Sequence, residues 1–220
     1  MKAVTALLTI FFVCLCNTPA AWSATTVVFD FESIEVLDNP GSTLFDTPLV
    51  LNSGGIEMAI SHESNLQFAV NSRNNATWVN RYDFNALSAF NGATGTSQLD
   101  PGAFILDFNR PIDSISVDMG DFGQESDTLV LQAFSGSSGT GTLLGEDTGF
   151  IPTINGFVFE NLSVAQSGIR SVRMIGGSEF IPNSVFYDNI TVTTAIPEPS
   201  STVLLVLGLL GGACCVRLRR

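Results

Sequence analysis

The sequence predicts an all-β fold, and three observations favour an antiparallel β-sandwich with jelly-roll topology. First, apolar and polar residues alternate with a period of two in eight short runs, as in strands buried on one face. Second, clusters of Gly, Asn, Pro and Ser separate many of these runs, and such clusters favour turns. Third, outside the chain ends there is no amphipathic pattern long enough for a helix of about ten residues.

The predicted strands follow one another along the middle of the chain. They cover residues 26–31, 55–61, 103–108, 114–118, 128–134, 156–160, 171–175 and 185–192. The predicted turns lie at residues 39–41, 53–55, 100–102, 135–141 and 176–177. Phenylalanines alternate within two of the strands, at Phe29 and Phe31 and at Phe104 and Phe108. Because alternate strand residues share a face, we expect these four rings to enter one core.

Residues 1–23 have the build of a secretory signal peptide. Lys2 supplies a positive charge, residues 3–16 are almost entirely apolar, and Ala21 and Ser23 are small residues before a predicted cleavage site at Ala24. The alternative is an uncleaved N-terminal anchor.

The other end of the chain combines a proline motif, an apolar run and a basic tail. Residues 193–202 are a predicted linker that contains Pro197, Glu198 and Pro199. Residues 203–216 are predicted to form a single transmembrane helix, which at about 1.5 Å per residue is only about 21 Å long. The tail at 217–220 is rich in arginine and is predicted to stay cytoplasmic, leaving the domain at residues 24–192 outside. A short span suits a temporary anchor, and an ordinary permanent anchor is the alternative.

This C-terminal arrangement resembles the PEP-CTERM sorting signal of Gram-negative bacteria. The resemblance rests on Pro197, Glu198 and Pro199, followed in fixed order by the apolar span and the arginines. It implies export through the inner membrane, transient anchoring, cleavage by an exosortase-type membrane protease and release to the cell surface or the medium. It also implies an association with exopolysaccharide and with biofilm.

Charge and cysteine content limit the functions open to the exported part. Between Asp30 and Glu198 there are 21 acidic residues against five arginines, a net charge of −16, which disfavours nucleic acid as a partner. All four cysteines lie in the terminal apolar segments, at positions 14, 16, 214 and 215. The domain therefore has neither disulfides nor thiol chemistry, and its stability must come from its core.

The middle of the chain loosely resembles the carbohydrate-binding jelly rolls of secreted bacterial proteins. Three stretches carry this resemblance, at residues 29–32, 111–118 and 185–192. In those jelly rolls, an acid at the end of the first strand and an aspartate in the last strand can share a structural Ca²⁺. The resemblance implies these roles for Glu32 and Asp188, with carboxylates as suitable ligands. The alternative is two unrelated polar residues at strand edges.

Two further stretches are candidate sites. Trp78 and Tyr82 lie among polar residues, a mixture that suits a glycan site, and the alternative is that Trp78 belongs to the core. The acidic stretch 118–127 could surround an ion but lacks the spacing of an EF-hand loop, and it is better explained as a loop between strands.

Catalysis has little support in the sequence. His62 is the only histidine, no nucleophile-elbow motif is present, and the domain has no lysine. We therefore expect a non-enzymatic surface or matrix protein associated with exopolysaccharide. A secreted carbohydrate-active hydrolase and a purely structural spacer are the alternatives.

Overall fold

The computed structural model describes residues 22–35, 42–65, 67–72, 85–91, 96–97, 102–121, 125–153, 158–179 and 182–197. The regular secondary structure in these ranges consists of β-strands alone, so the predicted all-β class is confirmed. The strands are β1 Trp22–Phe29, β2 Ser42–Phe45, β3 Leu49–Ser53, β4 Ile56–His62, β5 Phe68–Ser72, β6 Asn85–Ser88, β7 Phe90–Asn91, β8 Thr96–Ser97, β9 Phe104–Asp121, β10 Asp127–Phe134, β11 Leu143–Ile151, β12 Val158–Gly177 and β13 Phe186–Pro197.

Two long bent strands create the two layers of the sandwich. The first part of β9 (residues 104–108) pairs with β4 and with the second part of β12 (residues 171–177). The second part of β9 (residues 114–121) pairs with β13 and with the first part of β12 (residues 158–165). The β9–β12 register shifts on both sides of Ile169, next to Gly168, whose φ is +90°. Both strands thus pass from one layer to the other at this corner.

Each layer contains one part of β9 and of β12, together with the strands that are joined to these parts directly or through a neighbouring strand. Layer one contains β3, β4, the first part of β9, the second part of β12, β10 and β11. Layer two contains β2, β5, β6, β13, the second part of β9 and the first part of β12, and β1 joins it through β13. The predicted antiparallel arrangement is therefore present.

The core lies between the layers and is rich in aromatic rings. Phe104 in layer one meets two rings of layer two edge-on, Phe68 at 5.6 Å and Tyr187 at 5.2 Å between ring centroids. Phe29, Phe31, Phe104 and Phe108 are all buried in the same apolar cluster, as their alternation predicts. Burial also raises the pKa of the Tyr187 phenol far above its ordinary value, so this ring stays neutral.

The structure corrects several predicted boundaries. The two predicted strands at 103–108 and 114–118 fall within the single strand β9, which begins at Phe104, and the described residues of the predicted strands at 156–160 and 171–175 both belong to β12, Val158–Gly177. The predicted turn at residues 176–177 is wrong, since Gly176 and Gly177 are the last residues of β12. The turn at Gly54 and Gly55 is confirmed, with φ values of +55° and +76° between β3 and β4.

The structure also bears on the ends of the domain. Residues Thr26–Thr194 form one compact unit. β13 continues to Pro197, so the first residues of the predicted linker prolong the last strand. Among the described residues, no helix has the length and apolar character needed to cross a membrane. The predicted signal peptide up to residue 21 and the predicted span at residues 203–216 lie outside the described ranges.

Candidate functional site

One exposed surface of layer one combines an aromatic ring with a row of polar side chains. β10 lies between β11 and β12, and its side chains alternate between the core and the exterior. Antiparallel pairing puts directly opposite residues on the same face, so each outward residue of β10 belongs to a row of three. The row of Leu143, Phe134 and Ser171 lies next to the loop after β10. The other three rows form what we call the open face: Phe150, Thr128 and Gly177, then Thr148, Val130 and Ile175, then Glu146, Gln132 and Arg173. None of these nine residues is buried.

Hydrogen bonds join Glu146, Gln132 and Arg173, the third row of the open face, to one another and to Glu63. We call these four residues the polar ladder. Gln132 Nε2 donates to Glu146 Oε2 at 2.6 Å, and Arg173 Nη1 donates to Gln132 Oε1 at 3.1 Å. Arg173 Nε donates to Glu63 Oε1 at 2.7 Å, and the Ala103 N–H donates to Glu63 Oε2 at 3.0 Å. The chain of bonds fixes the orientation of each planar group before any ligand arrives.

The ion pair between Arg173 and Glu63 positions the two side chains but adds little to the stability of the fold. The hydrogen bond from Arg173 holds the pKa of Glu63 below its ordinary value of 4.5, while partial burial acts in the opposite direction. The side chains of Arg173 and Glu63 remain 28% and 35% exposed. Solvent screens such a pair, so its contribution to the free energy of unfolding is about 1 kcal/mol or less.

Phe150 provides an apolar platform at the other end of the open face. It is 57% exposed, more than Leu143 at 48% and Val28 at 47%. Its row and the Arg173 row are four residues apart along β10, a separation of about 14 Å. Val130 and Ile175 are half-buried and form the surface between them. Apolar and hydrogen-bonding groups therefore follow one another along the same face of the sheet.

The loop at residues 135–142 forms a rim beside the polar ladder. Its Ser138 N–H donates to Asp107 Oδ1 at 2.6 Å, and its Gly139 N–H donates to Ser171 Oγ at 2.9 Å. Gly139 has a φ of +66°, and a Cβ there would lie 2.9 Å from Cγ and Cδ of Arg173. The loop is thus folded back onto layer one and packs against the aliphatic stem of Arg173.

The two predicted calcium ligands lie on elements that meet. Glu32 follows β1, and its Oε1 accepts the N–H of Asn85, the first residue of β6, at 2.9 Å. β6 pairs with β13 at Phe186 and Tyr187, immediately before Asp188. Asp188 is fully buried, and its Oδ1 accepts the Asn189 N–H at 2.7 Å. The first residue of β6 thus contacts the turn that carries Glu32, β6 itself pairs with the strand that carries Asp188, and the shared calcium stays a prediction.

A carboxylate–amide cluster adjoins Asp188 and contains Asp118, the first residue of the acidic stretch. Asp118 lies directly opposite Asp188 on β9, and its two oxygens accept hydrogen bonds from the side-chain amides of Asn161 and Asn189 at 2.7 and 3.1 Å. The acidic stretch 118–127 is therefore only partly a loop, since it begins within β9 and ends at Asp127, the first residue of β10. Within the described ranges, no three His, Cys, Asp or Glu side chains are grouped so that they could hold a metal ion.

The remaining predicted site residues lie largely outside the described ranges. Trp78 and Tyr82 are both outside them. Pro197 is the last residue of β13, and Glu198 and Pro199 follow beyond the described part of the chain.

His62 has a structural environment. Its ring is buried edge-on against Phe104 at 5.3 Å, and its Nδ1 accepts the Ser64 N–H at 3.3 Å. These contacts hold the ring against the core side of layer one, in a position that suits packing.

Sequence reasoning missed the open face because it did not identify β11. This strand carries two glycines and two adjacent acids, at positions 145, 149, 146 and 147, and so has few of the residues that favour strands. Glu146, Thr148 and Phe150 are alternate residues, and their spacing could have indicated a strand with an aromatic residue on its exposed face.

Comparison with known proteins identifies the C-terminal segment. Residues 195–220 match the PEP-CTERM protein-sorting motif. The chain therefore carries a PEP-CTERM sorting signal, and this signal implies export, sorting at a membrane and processing by an exosortase. No characterised protein matches the chain in sequence.

Solved structures show only distant similarity. The K3 adhesin domain of Lys-gingipain from Porphyromonas gingivalis w83 has 11% identity and a TM-score of 0.40, covering 78% of this chain and 99% of that domain. A family 29 carbohydrate-binding module from Piromyces equi has 11% identity and a TM-score of 0.37, covering 78% of this chain and 91% of the module. At these TM-scores, the similarity says nothing about what this chain binds.

Proposed function

We propose that this chain is a non-enzymatic surface or extracellular-matrix protein that is delivered through its PEP-CTERM signal and binds exopolysaccharide. The sorting signal at residues 195–220 is the observation that carries the proposal. The signal directs the protein to a membrane for processing, so the acidic domain at Thr26–Thr194 would act outside the cytoplasm. Polysaccharide is the abundant polymer of that environment, and an uncovered sheet face is a suitable place for it.

The properties of the domain support binding rather than catalysis. The single histidine is engaged in core packing with Phe104. Asp118 and Asp188 are opposite each other, but Asp118 is held by two amides and Asp188 is fully buried. A pair of carboxylates that hydrolyses glycosides must flank a sugar bond that can reach both groups.

The test combines binding and turnover on the full-length protein in detergent. Polysaccharide isolated from the producing cells is mixed with the protein and sedimented, and the same mixtures are assayed for released reducing ends. The proposal predicts co-sedimentation without turnover. Turnover that is lost in Asp118→Asn or Asp188→Asn would identify a hydrolase, and the absence of both binding and turnover would identify a structural spacer.

A further inference from the structure

We propose that the open face is the polysaccharide-binding site and that its ligand is an uncharged glycan chain, an inference that rests on the proposed function. In this assignment Phe150 packs against the C–H face of one sugar ring. The polar ladder of Glu146, Gln132, Arg173 and Glu63 exchanges hydrogen bonds with the hydroxyls of another ring.

The combination of groups matches the chemistry of a sugar chain. A pyranose ring presents an apolar C–H surface and an edge of hydroxyls, so its site needs both a flat apolar contact and paired donors and acceptors. Phe150 is 57% exposed and supplies the apolar contact. Gln132 and Arg173 retain further N–H donors beyond their bonds within the polar ladder, and the two glutamates retain lone pairs.

The site is ordered before binding. The polar ladder is internally hydrogen-bonded, and the stem of Arg173 is held by the rim at Gly139. Ordering flexible side chains is one of the main free-energy costs of association, so groups that are already fixed bind with a smaller loss. This arrangement favours the weak but specific contacts that a repeating polymer can multiply along its length.

Charge favours an uncharged ligand over an anionic one. The polar ladder contains two carboxylates and one guanidinium, so it has a net charge of −1, and the segment from Asp30 to Glu198 carries −16. An anionic polysaccharide would approach this surface against an unfavourable potential. A cationic polymer would be attracted anywhere on the domain, without preference for this face.

The size of the open face favours a slender ligand over a second protein. Three strands about 4.8 Å apart and five residues along each strand give a patch of roughly 10 by 14 Å. Stable protein interfaces bury about 800 Å² on each partner, several times this area. A single polysaccharide chain lying along β10 needs no more than the patch provides.

The experiment measures affinity of the full-length protein in detergent for soluble neutral glycans, namely a mannan, a β-glucan and a xylan, with alginate as the anionic comparison. The variants are Phe150→Ala and Gln132→Ala on the open face. The matched controls are Leu44→Ala, an exposed apolar residue on β2, and Arg170→Gln, an exposed residue of β12 outside the open face. Thermal melts of all variants show that each remains folded.

We expect at least one neutral glycan to bind and to keep its affinity in 1 M NaCl, about the concentration at which the screening length falls to 3 Å. Losing an aromatic stacking contact should weaken binding by about tenfold in Phe150→Ala, with a smaller loss in Gln132→Ala and less than about twofold in the controls.

Neutral-glycan binding that is unchanged in both open-face variants overturns this site while leaving the proposed function intact. Salt-sensitive binding to alginate alone overturns the uncharged ligand. Binding to no polysaccharide overturns both proposals, and self-association lost in Phe150→Ala would assign the face to a second copy of the chain.

Discussion

Gly139 shapes the rim of the open face through both its backbone and its lack of a side chain. Its φ of +66° is unfavourable for other residues, and a Cβ would lie 2.9 Å from the stem of Arg173. Gly55 has a similar φ of +76°, but a Cβ at that position would have no neighbouring atom within 4 Å. Gly55 therefore isolates the backbone effect.

We predict that Gly139→Ala lowers the free energy of unfolding by more than Gly55→Ala does. The backbone strain alone should cost each variant about 1 kcal/mol, and the contact with Arg173 should add to the cost in Gly139→Ala. Urea denaturation of both variants measures the difference. Equal losses of stability in the two variants would show that the Arg173 side chain moves away from the new Cβ at no cost in free energy.

Glu63 should give stability a small dependence on pH. Its pKa is lowered in the folded state by the hydrogen bond from Arg173. A carboxyl with a lowered folded pKa stabilises the protein above its unfolded value of 4.5, and this contribution is lost as the pH falls through the folded pKa.

We therefore predict that the wild-type protein is more stable than Glu63→Gln at pH 7 and that the difference disappears in acid. Because the pair is partly exposed, the difference at pH 7 should be about 1 kcal/mol or less. Paired urea melts of the two proteins between pH 7 and pH 3 provide the measurement. A difference that is constant across this range would exclude titration of Glu63 as its source.

The calcium prediction concerns Glu32 and Asp188. A shared ion would tie the turn after β1 to β13. The domain contains no cysteine, so a disulfide cannot do this. An ion that binds only the folded state stabilises by about 2.7 kcal/mol at a hundredfold its dissociation constant. We predict a higher melting temperature in Ca²⁺ than in EDTA, and no such shift in Asp188→Ala. An equal shift in Mg²⁺, or a shift that persists in the variant, would indicate general charge screening.

At the scale of elements, Phe104 joins the two layers. It is fully buried and contacts Phe68 and Tyr187 across the core, whereas Phe150 is exposed on β11. We predict that Phe104→Ala lowers the free energy of unfolding by about 3–5 kcal/mol, the range for large core truncations. Phe150→Ala should change it by about 0.5 kcal/mol or less. Guanidinium denaturation of both variants tests this, and comparable losses would contradict the assignment of Phe150 to a binding surface.

The strands that the sequence predicted are those with strong alternation. β4, β10 and β13 have buried apolar residues at every second position over much of their length, so their pattern is visible without a structure. The sequence pattern divides β9 and β12 each into two predicted strands, because both strands bend between the layers and the β9–β12 register shifts at the bend. No local pattern shows that two such segments form one strand.

The polar ladder could not be predicted because it is made by pairing. Glu146, Gln132 and Arg173 are distant in sequence and meet only through the registers of β11, β10 and β12. Glu63 joins them from the end of β4. By contrast, Glu32 and Asp188 were named from a resemblance, and the structure adds that β6 connects their surroundings.

For the whole molecule, the sorting motif and the proposed binding site lie in separate segments of the chain. The sorting motif occupies residues 195–220, and the compact unit ends at Thr194. Removal of the residues after Pro197, the last residue of β13, should therefore leave the folding of the domain and its proposed glycan binding unchanged while preventing its delivery.

The most direct test of the proposed delivery is the intact mass of the protein recovered from the surface or medium of cells that contain an exosortase. We predict a chain that begins at Ala24 and ends close to Pro197, Glu198 and Pro199, without the apolar span or the arginines. A recovered chain that still ends at Arg220 would contradict processing and would show that the segment is a permanent anchor.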